Sequence, residues 1–284
     1  FPAAAVIYRC GLVKQGPVAI HEQLCLSNLY DLQGAGMSQD LGLDSVRQKE
    51  VPEGMETSTA GTLDQLAFCV GRVIRSISDA PPRTDVLKEM PKLIDRANRI
   101  VRSATGELTM DYGRGVLTVT APAAQGVAGF IGAAGALDCG DIVIASSNEY
   151  ATVVAVSLDG KPLKTSAKIL VQAMTEENNH GWETAALPAT ADVPAQSATG
   201  AQKKNTAVPG MKKIASVGGP PLVVRDILAT VTFKRPDAAT LAVTPLDVNG
   251  CAMKTPVACT RGANGSVTVT LLPDCLYYMV TAGR

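Results

Sequence analysis

Aromatic side chains are scarce in this chain of 284 residues, which has four Phe, six Tyr and a single Trp. That scarcity argues against a long aromatic-lined sugar groove and against a platform for stacking nucleobases. An excess of either charge is also lacking. Lys and Arg total 26, Asp and Glu total 26, and so no electrostatic case exists for nucleic acid or an anionic membrane as partner. Only two histidines occur, His21 and His180, and no Gly-x-Ser-x-Gly elbow accompanies either, which weakens any hydrolase triad. No apolar run approaches the roughly 20 residues of a membrane span. The opening "FPAAAVIYRCGLV" is apolar only from Phe1 to Tyr8, has nothing basic before it and is followed by Arg9, which fits neither a signal peptide nor an anchor.

Cysteine is present without metal-binding spacing. The seven cysteines (10, 25, 69, 139, 251, 259 and 275) are scattered, with no Cys-x-x-Cys pair. No metal site is expected from them. The odd count leaves at least one thiol unpaired within the chain. Free, buried thiols are the plain reading; a Cys251–Cys259 bridge across a hairpin is the alternative.

The text changes character near residue 100. Before it, "GPVAIHEQLCL" contains one strand, "LSNLYDLQGA" a short helical turn, and 36–62 a polar excursion loop. "AFCVGRVI" reads as a strand, and "RTDVLKEMPKLIDRANRIV" as a charged helical pattern interrupted by Pro91. After it the pattern is β. "LTMDY" and "VLTVTA" alternate around Gly113 and Gly115 and predict a hairpin. Short Val- and Ile-rich strands follow in "GVAGFIG", "DIVIASS", "YATVVAVSLDG" and "AKILVQAMTE". An Ala-, Thr-, Pro- and Gln-rich stretch over 186–212 reads as a mobile loop. Strands resume in "KIASVG", "PLVVRDILATVTFKR" and "TLAVTPLDVNG", and "SVTVTL" with "LYYMVTA" reads as a closing pair. Strands at 8–12-residue spacing without helices between them predict a mainly β protein, an antiparallel β-sandwich of jelly-roll-like type, preceded by an irregular α/β segment. The first hundred residues hold too little periodic apolar sequence to close a core alone.

Few residues present chemistry. "HEQL" at His21 matches the first half of a zinc-protease helix, but the second His is missing and the segment reads as a strand. The Gly-rich "VGGPP" and "GAAGALDCG" lead into strands or loops, so they read as turns and not as phosphate cradles. Asp138, Asp141 and Glu149 could supply oxygens to calcium, although a dense Asp/Asn loop is absent; otherwise no cofactor is implied. "TEENNHGWETAA" is the most unusual stretch. Trp182 could stack on a sugar while Asn179, His180 and Glu183 bond hydroxyls, with Tyr150 and Tyr112 as further aromatic anchors. The competing reading has Trp182 plug the end of the sandwich above a solvated turn.

The series "TGELTMDYGRGVLTVTAPAAQGVAGFIG", "DIVIASSNEYATVVAVSLDGKPLKTSAKILVQAMTEENNHGW", "GGPPLVVRDILATVTF" and "LDVNGCAMKTPV" resembles the β-rich C-terminal region of large bacterial glycoside hydrolases whose catalytic domain is a (β/α)8 barrel of clan A type. "FPAAAVIYRCGLVK" resembles the end of that TIM barrel. The resemblance implies residues 1–35 as barrel end and exit strand, 36–100 as a connector with a long loop and short helix, and 101–284 as the sandwich. It implies a retaining enzyme whose two catalytic glutamates lie upstream of Phe1, a polysaccharide or oligosaccharide ligand, the barrel as partner, and a secreted or periplasmic setting. It carries no catalytic residue onto this chain. Three roles stay open: an accessory sandwich, a carbohydrate-binding module, or an enzyme complete in these residues.

Overall fold

The computed structural model describes residues 2–30, 64–188, 192–194, 204–206, 212–262 and 265–283. The loop expected over 36–62 and most of the stretch expected to be mobile lie outside them. The chain begins with α1 (Pro2–Cys10), β1 (Val18–Cys25), α2 (Leu26–Tyr30), α3 (Ala67–Val70), β2 (Arg72–Ser78), β3 (Arg83–Val86), α4 (Met90–Leu93), β4 (Ile94–Asp95) and β5 (Ile100–Arg102). It continues with β6 (Leu108–Asp111), β7 (Val116–Ala121), β8 (Ala124–Gly129), β9 (Leu137–Asp138), β10 (Ile142–Ser146), β11 (Ala151–Ser157), β12 (Lys168–Thr175) and β13 (Glu177–Ala186). The remainder is β14 (Asp192–Pro194), β15 (Lys204–Thr206), β16 (Lys212–Val224), β17 (Ala229–Phe233), β18 (Ala242–Leu246), β19 (Cys259–Arg261), β20 (Val267–Thr270) and β21 (Tyr277–Thr281).

Two antiparallel sheets make the expected β-sandwich. The larger has nine strands in the order β18-β21-β12-β11-β8-β7-β6-β5-β4, and the smaller has five in the order β19-β20-β17-β10-β9. Their facing side chains alternate along each strand, as the pleat requires. Val153, Ile169, Val171, Tyr278 and Val280 of the large sheet meet Ile142, Ile144, Val231, Phe233, Val267 and Val269 of the small one. Gln125 fastens the sheets together where β8 passes the start of β10. Its Oε1 accepts the backbone N–H groups of Asp141 (2.7 Å) and Ile142 (3.2 Å), and its Nε2 donates to Asp141 Oδ2 (3.1 Å).

The opening apolar run is an amphipathic helix. Ala3, Val6 and Ile7 recur at i, i+3 and i+4, and pack with Leu12 against Val156, Leu170 and Ala124 on the outer face of the large sheet. The Ala3 N–H donates to Gln172 Oε1 at 3.0 Å. Tyr8 points the other way and is 89% exposed. The sandwich itself therefore covers the apolar side of α1, and the described part of the opening run presents no broad apolar patch as an interface for a barrel.

The segment ahead of the sandwich is a three-stranded sheet in the order β2-β1-β3, with β1 and β2 parallel and β3 antiparallel. Among the described residues it closes no barrel. It does not stand alone either. Ala19, Ile20, Ala67 and Val70 share a cluster with Val101 of β5, and the Ala104 N–H donates to Val70 O at 2.7 Å. Over its described residues this segment shares its buried cluster with the start of the large sheet.

Several local expectations change. "AFCVGRVI" is one helical turn, α3, before a strand that starts at Arg72. Gly71 separates them because a Cβ there would come within 2.6 Å of Pro17 O. The charged helical pattern around Pro91 shrinks to α4 between β3 and β4, and Arg99 (φ +58°) turns the chain into β5. "KIASVG" and "PLVV" belong to one strand, β16. The final "SVTVTL" and "LYYMVTA" do not pair. β20 joins β17 and β21 joins β12 and β18, and the crossover is held where the buried Tyr278 hydroxyl accepts the Leu272 N–H at 2.6 Å. Cys251 and Cys259 are both exposed and not joined by a disulfide, so no bridge spans the proposed hairpin, and only Cys139 and Cys275 are buried.

Replacing Gln125 by Leu leaves two inward-facing N–H groups without their acceptor. An unsatisfied buried donor costs about 1–3 kcal/mol, so Gln125→Leu is expected to lower the unfolding free energy by about 2–3 kcal/mol, read as a lower urea midpoint at unchanged slope.

Candidate functional site

The most unusual stretch of sequence leaves the sandwich. β12 passes through Glu176 into β13, which pairs only with β16, so a two-stranded arm projects from the end of the large sheet. Its root is held by polar groups. The Thr175 hydroxyl donates to Arg225 O, the Arg225 N–H donates to Glu176 O at 3.0 Å, and Arg225 Nε lies 3.1 Å from Glu176 Oε2. The buried Asn148 then returns the chain to the sandwich, donating to Asp226 O (2.8 Å) and accepting the Leu228 N–H (2.7 Å).

Along the arm the ladder slips where Pro220 and Pro221 stand. Neither has an N–H to donate, and the register jumps from Asn179↔Leu222 to His180↔Gly219. The Asn179 side chain spans the gap by donating to Val217 O at 2.9 Å. Gly218 (φ +60°) passes so close to the partner strand that a Cβ would sit 2.2 Å from His180 O. Trp182 lies opposite Val217 and is half-buried, while His180 and Glu183 are exposed. Trp182 therefore does not plug the end of the sandwich. It is carried away from it.

The expected sugar-binding residues do not converge. Asn179, His180, Trp182 and Glu183 ride on the arm, whereas Tyr150 stands at its root, next to the terminal pair Ala151↔Thr175. At about 3.3 Å per residue, Trp182 is about 20 Å further along the strand than Glu176. Tyr150 has a different companion, Phe130, with ring centroids 5.4 Å apart and planes at 76°. Sequence reasoning placed Phe130 inside a strand and passed over it. Gly129 (φ +127°) ends β8 one residue earlier and turns the ring to solvent, where it is 54% exposed. The readable signal was Gly-Phe-Ile-Gly directly after an alternating run.

The acidic residues are committed to structure. Asp138 accepts Lys234 Nζ (2.7 Å) and the Gly140 N–H (2.9 Å), which hold its carboxyl below the usual carboxylate range. Asp141 is engaged by Gln125, Glu149 is exposed, and the described residues contain no cluster of three His, Cys, Asp or Glu side chains suited to a metal ion. The proposed calcium ligands are thus not assembled. Asp95, Asp111, Asp159 and Asp237 are also shifted downward. A general acid for glycoside cleavage needs the opposite shift. Burial pushes the Cys139 thiol up to about 12, which makes it inert. His21 is an ordinary strand residue bonded to Ser76 Oγ at 2.9 Å. A shallow depression of about 690 Å³ on the small sheet is lined by residues such as Ser146, Leu228, Thr270 and Pro273, with no titratable side chain among them.

No protein-family model, curated protein or solved structure matches this chain.

Asp111 organises the turn beside Phe130. Its carboxylate accepts the Arg114 N–H (2.9 Å), Arg114 Nε (2.6 Å) and the Gly113 N–H (3.1 Å), and these bonds lower its pKa. A depressed carboxylate stabilises the fold above its unfolded pKa, and that contribution is lost as pH falls through the folded value. The Gly113 and Arg114 amide resonances are expected to stay constant from pH 8 to 5 and to titrate with a midpoint below the ordinary 3.8.

Proposed function

We propose that this chain is the accessory β-sandwich region of a glycoside hydrolase that acts on polysaccharide, and that it supports the catalytic barrel without carrying the catalytic pair. The observation that carries this reading is the apolar surface of the three-stranded sheet that no described residue covers. Parallel strands are ordinarily covered on both faces. Here Ile74 and Ile77 of β2 project from opposite faces of a parallel pair, and both are exposed, Ile77 to 56%. Val86 on the other edge and Phe68 on α3 extend the surface. A neighbouring domain seated there would remove this area from water at about 25 cal/mol per Å².

Two further features support a non-catalytic role. Among the described residues, the five carboxylates with shifted protonation are all shifted down. The depression on the small sheet has no titratable side chain in its lining. The arm adds a second uncovered surface, with Ile214, Val217 and Leu222 exposed. Among the described residues its two strands have no third layer, and isolated ribbons of this kind are marginal in water.

The test has two parts. The purified chain is expected to release no reducing sugar from a panel of plant, algal and host polysaccharides; turnover by this chain alone overturns the reading. Ile77→Lys with Val86→Lys is expected to leave the melting temperature within about 2 °C, since surface changes of this kind seldom exceed 0.5 kcal/mol. The same pair is expected to abolish association with a clan-A barrel polypeptide supplied in trans. Undiminished association would place the interface elsewhere.

A further inference from the structure

We propose that the aromatic shelf at the root of the arm, formed by Phe130 and Tyr150, is a carbohydrate-binding subsite that takes one pyranose unit of a polysaccharide. The inference rests on the accessory reading only for its choice of ligand class. The geometry carries the rest.

Of the eleven aromatic residues in the chain, three gather at this end of the large sheet. Phe130 and Tyr150 meet edge to face, and both are exposed, to 54% and 38%. Tyr112 stands in the turn between β6 and β7, whose Gly115 lies directly under the Phe130 ring. A Cβ at Gly115 would come within 2.9 Å of Phe130 Cδ2, so the ring rests on bare backbone. The Phe130 N–H donates to Gly115 O at 3.1 Å, which locks the two turns together. The shelf is therefore built before any ligand arrives, and little freedom is lost on binding.

Charged hydrogen-bonding pairs flank the rings on two sides. Asp111 and Arg114 sit in the turn that supports Phe130, with Arg114 Nε 2.6 Å from Asp111 Oδ2. Glu176 and Arg225 follow the last register pair beside Tyr150. A pyranose offers an apolar C–H face and a rim of hydroxyls. An aromatic face suits the first, and the exposed guanidinium groups of Arg114 and Arg225, with the partly exposed Glu176 carboxylate, suit the second. The arm makes the contrast. Its exposed apolar side chains are aliphatic, as in Ile214, Val217 and Leu222, and suit a protein neighbour. The shelf has no aliphatic side chain in the ring pair or its supporting turn.

Native affinity gels containing soluble xylan, mixed-linkage β-glucan, galactomannan or alginate read the proposal directly. The chain is expected to be retarded by at least one polymer. Phe130→Leu and Tyr150→Leu keep apolar bulk but remove the ring faces, and each is expected to weaken that retardation about tenfold. Tyr150→Phe keeps the ring and is expected to retain it. Trp182→Ala, on the arm, is expected to change nothing. No retardation by any polymer, or retardation undisturbed by Phe130→Leu, overturns the subsite. The melting temperature of each variant confirms that it folds. Association with the barrel polypeptide is expected to survive Phe130→Leu, so loss of polymer binding there and loss of barrel binding in Ile77→Lys with Val86→Lys report separate failures.

Discussion

β11 and β12 carry apolar side chains on both faces, and the rest of the molecule is arranged to cover them. Along β12, Ile169 and Val171 point into the sandwich while Leu170 points outward, and all three are buried. One face needs the five-stranded sheet. The other needs α1, whose Ala3 and Leu12 close over Val156 and Leu170. A buried side chain of this size contributes about 1.5–3 kcal/mol, so neither cover is dispensable. This double burial fixes how α1 lies on the sandwich, and it consumes the apolar side of that helix.

Polar side chains then set the register between layers that apolar packing alone would leave loose. Gln125 ties β8 to the entry of β10, and Asn148 ties the return from the arm to the start of β17. Arg235 is buried among Leu163 O and Ser166 O, which accept from its Nη1, and its Nε and Nη2 meet the Asp237 carboxylate. Asp159 gathers the hydroxyls of Ser157 and Ser166 with the Ala167 N–H at the loop leading into β12. Each is a complete hydrogen-bonding set, which is the condition for burying polar groups without large cost.

The sandwich was legible in the sequence because period-two alternation survives in strands with one face on the core, such as β10 and β17, and because glycines mark their ends. Pairing was legible only where a short turn joins neighbours. The β6–β7 hairpin announces itself, whereas β20 and β21 look like a hairpin and are not. The six residues from Leu271 to Leu276 carry the chain from one sheet to the other, and the deciding contact is the Tyr278 hydroxyl at Leu272, which no local pattern encodes. α3 was misread for a similar reason. Ala67 and Val70 are helical because they fill a gap against Ala19 and Val101, distant in sequence. Composition pointed to Trp182 as the candidate site because it is unique. The exposed aromatic pair was hidden in an ordinary strand signature, and its exposure follows from the backbone at Gly129.

The end of the large sheet thus divides into two surfaces of different chemistry, joined by one rigid root. At the root, Thr175, Glu176, Arg225 and Asn148 hold both strands of the arm in hydrogen bonds, and Phe130 and Tyr150 face water between charged pairs. Across the proline bulge the arm pairs with neither sheet, and it exposes Leu222 on the root side and Val217 and Ile214 beyond it. A ribbon with Leu222 70% exposed is not stabilised by its own packing. Its direction, by contrast, is strictly imposed from below. A limb that is firmly aimed but leaves its apolar side chains uncovered fits one that acquires its second layer from a neighbouring domain. The same logic applies to the parallel pair β1–β2, where the buried Glu22 takes Arg75 Nε at 2.7 Å while Ile74 and Ile77 stay outside. Both elements spend their polar groups on orientation and present their apolar groups outward, whereas the shelf presents rings within a charged rim. That difference separates the surfaces suited to holding a protein from the one suited to holding a sugar.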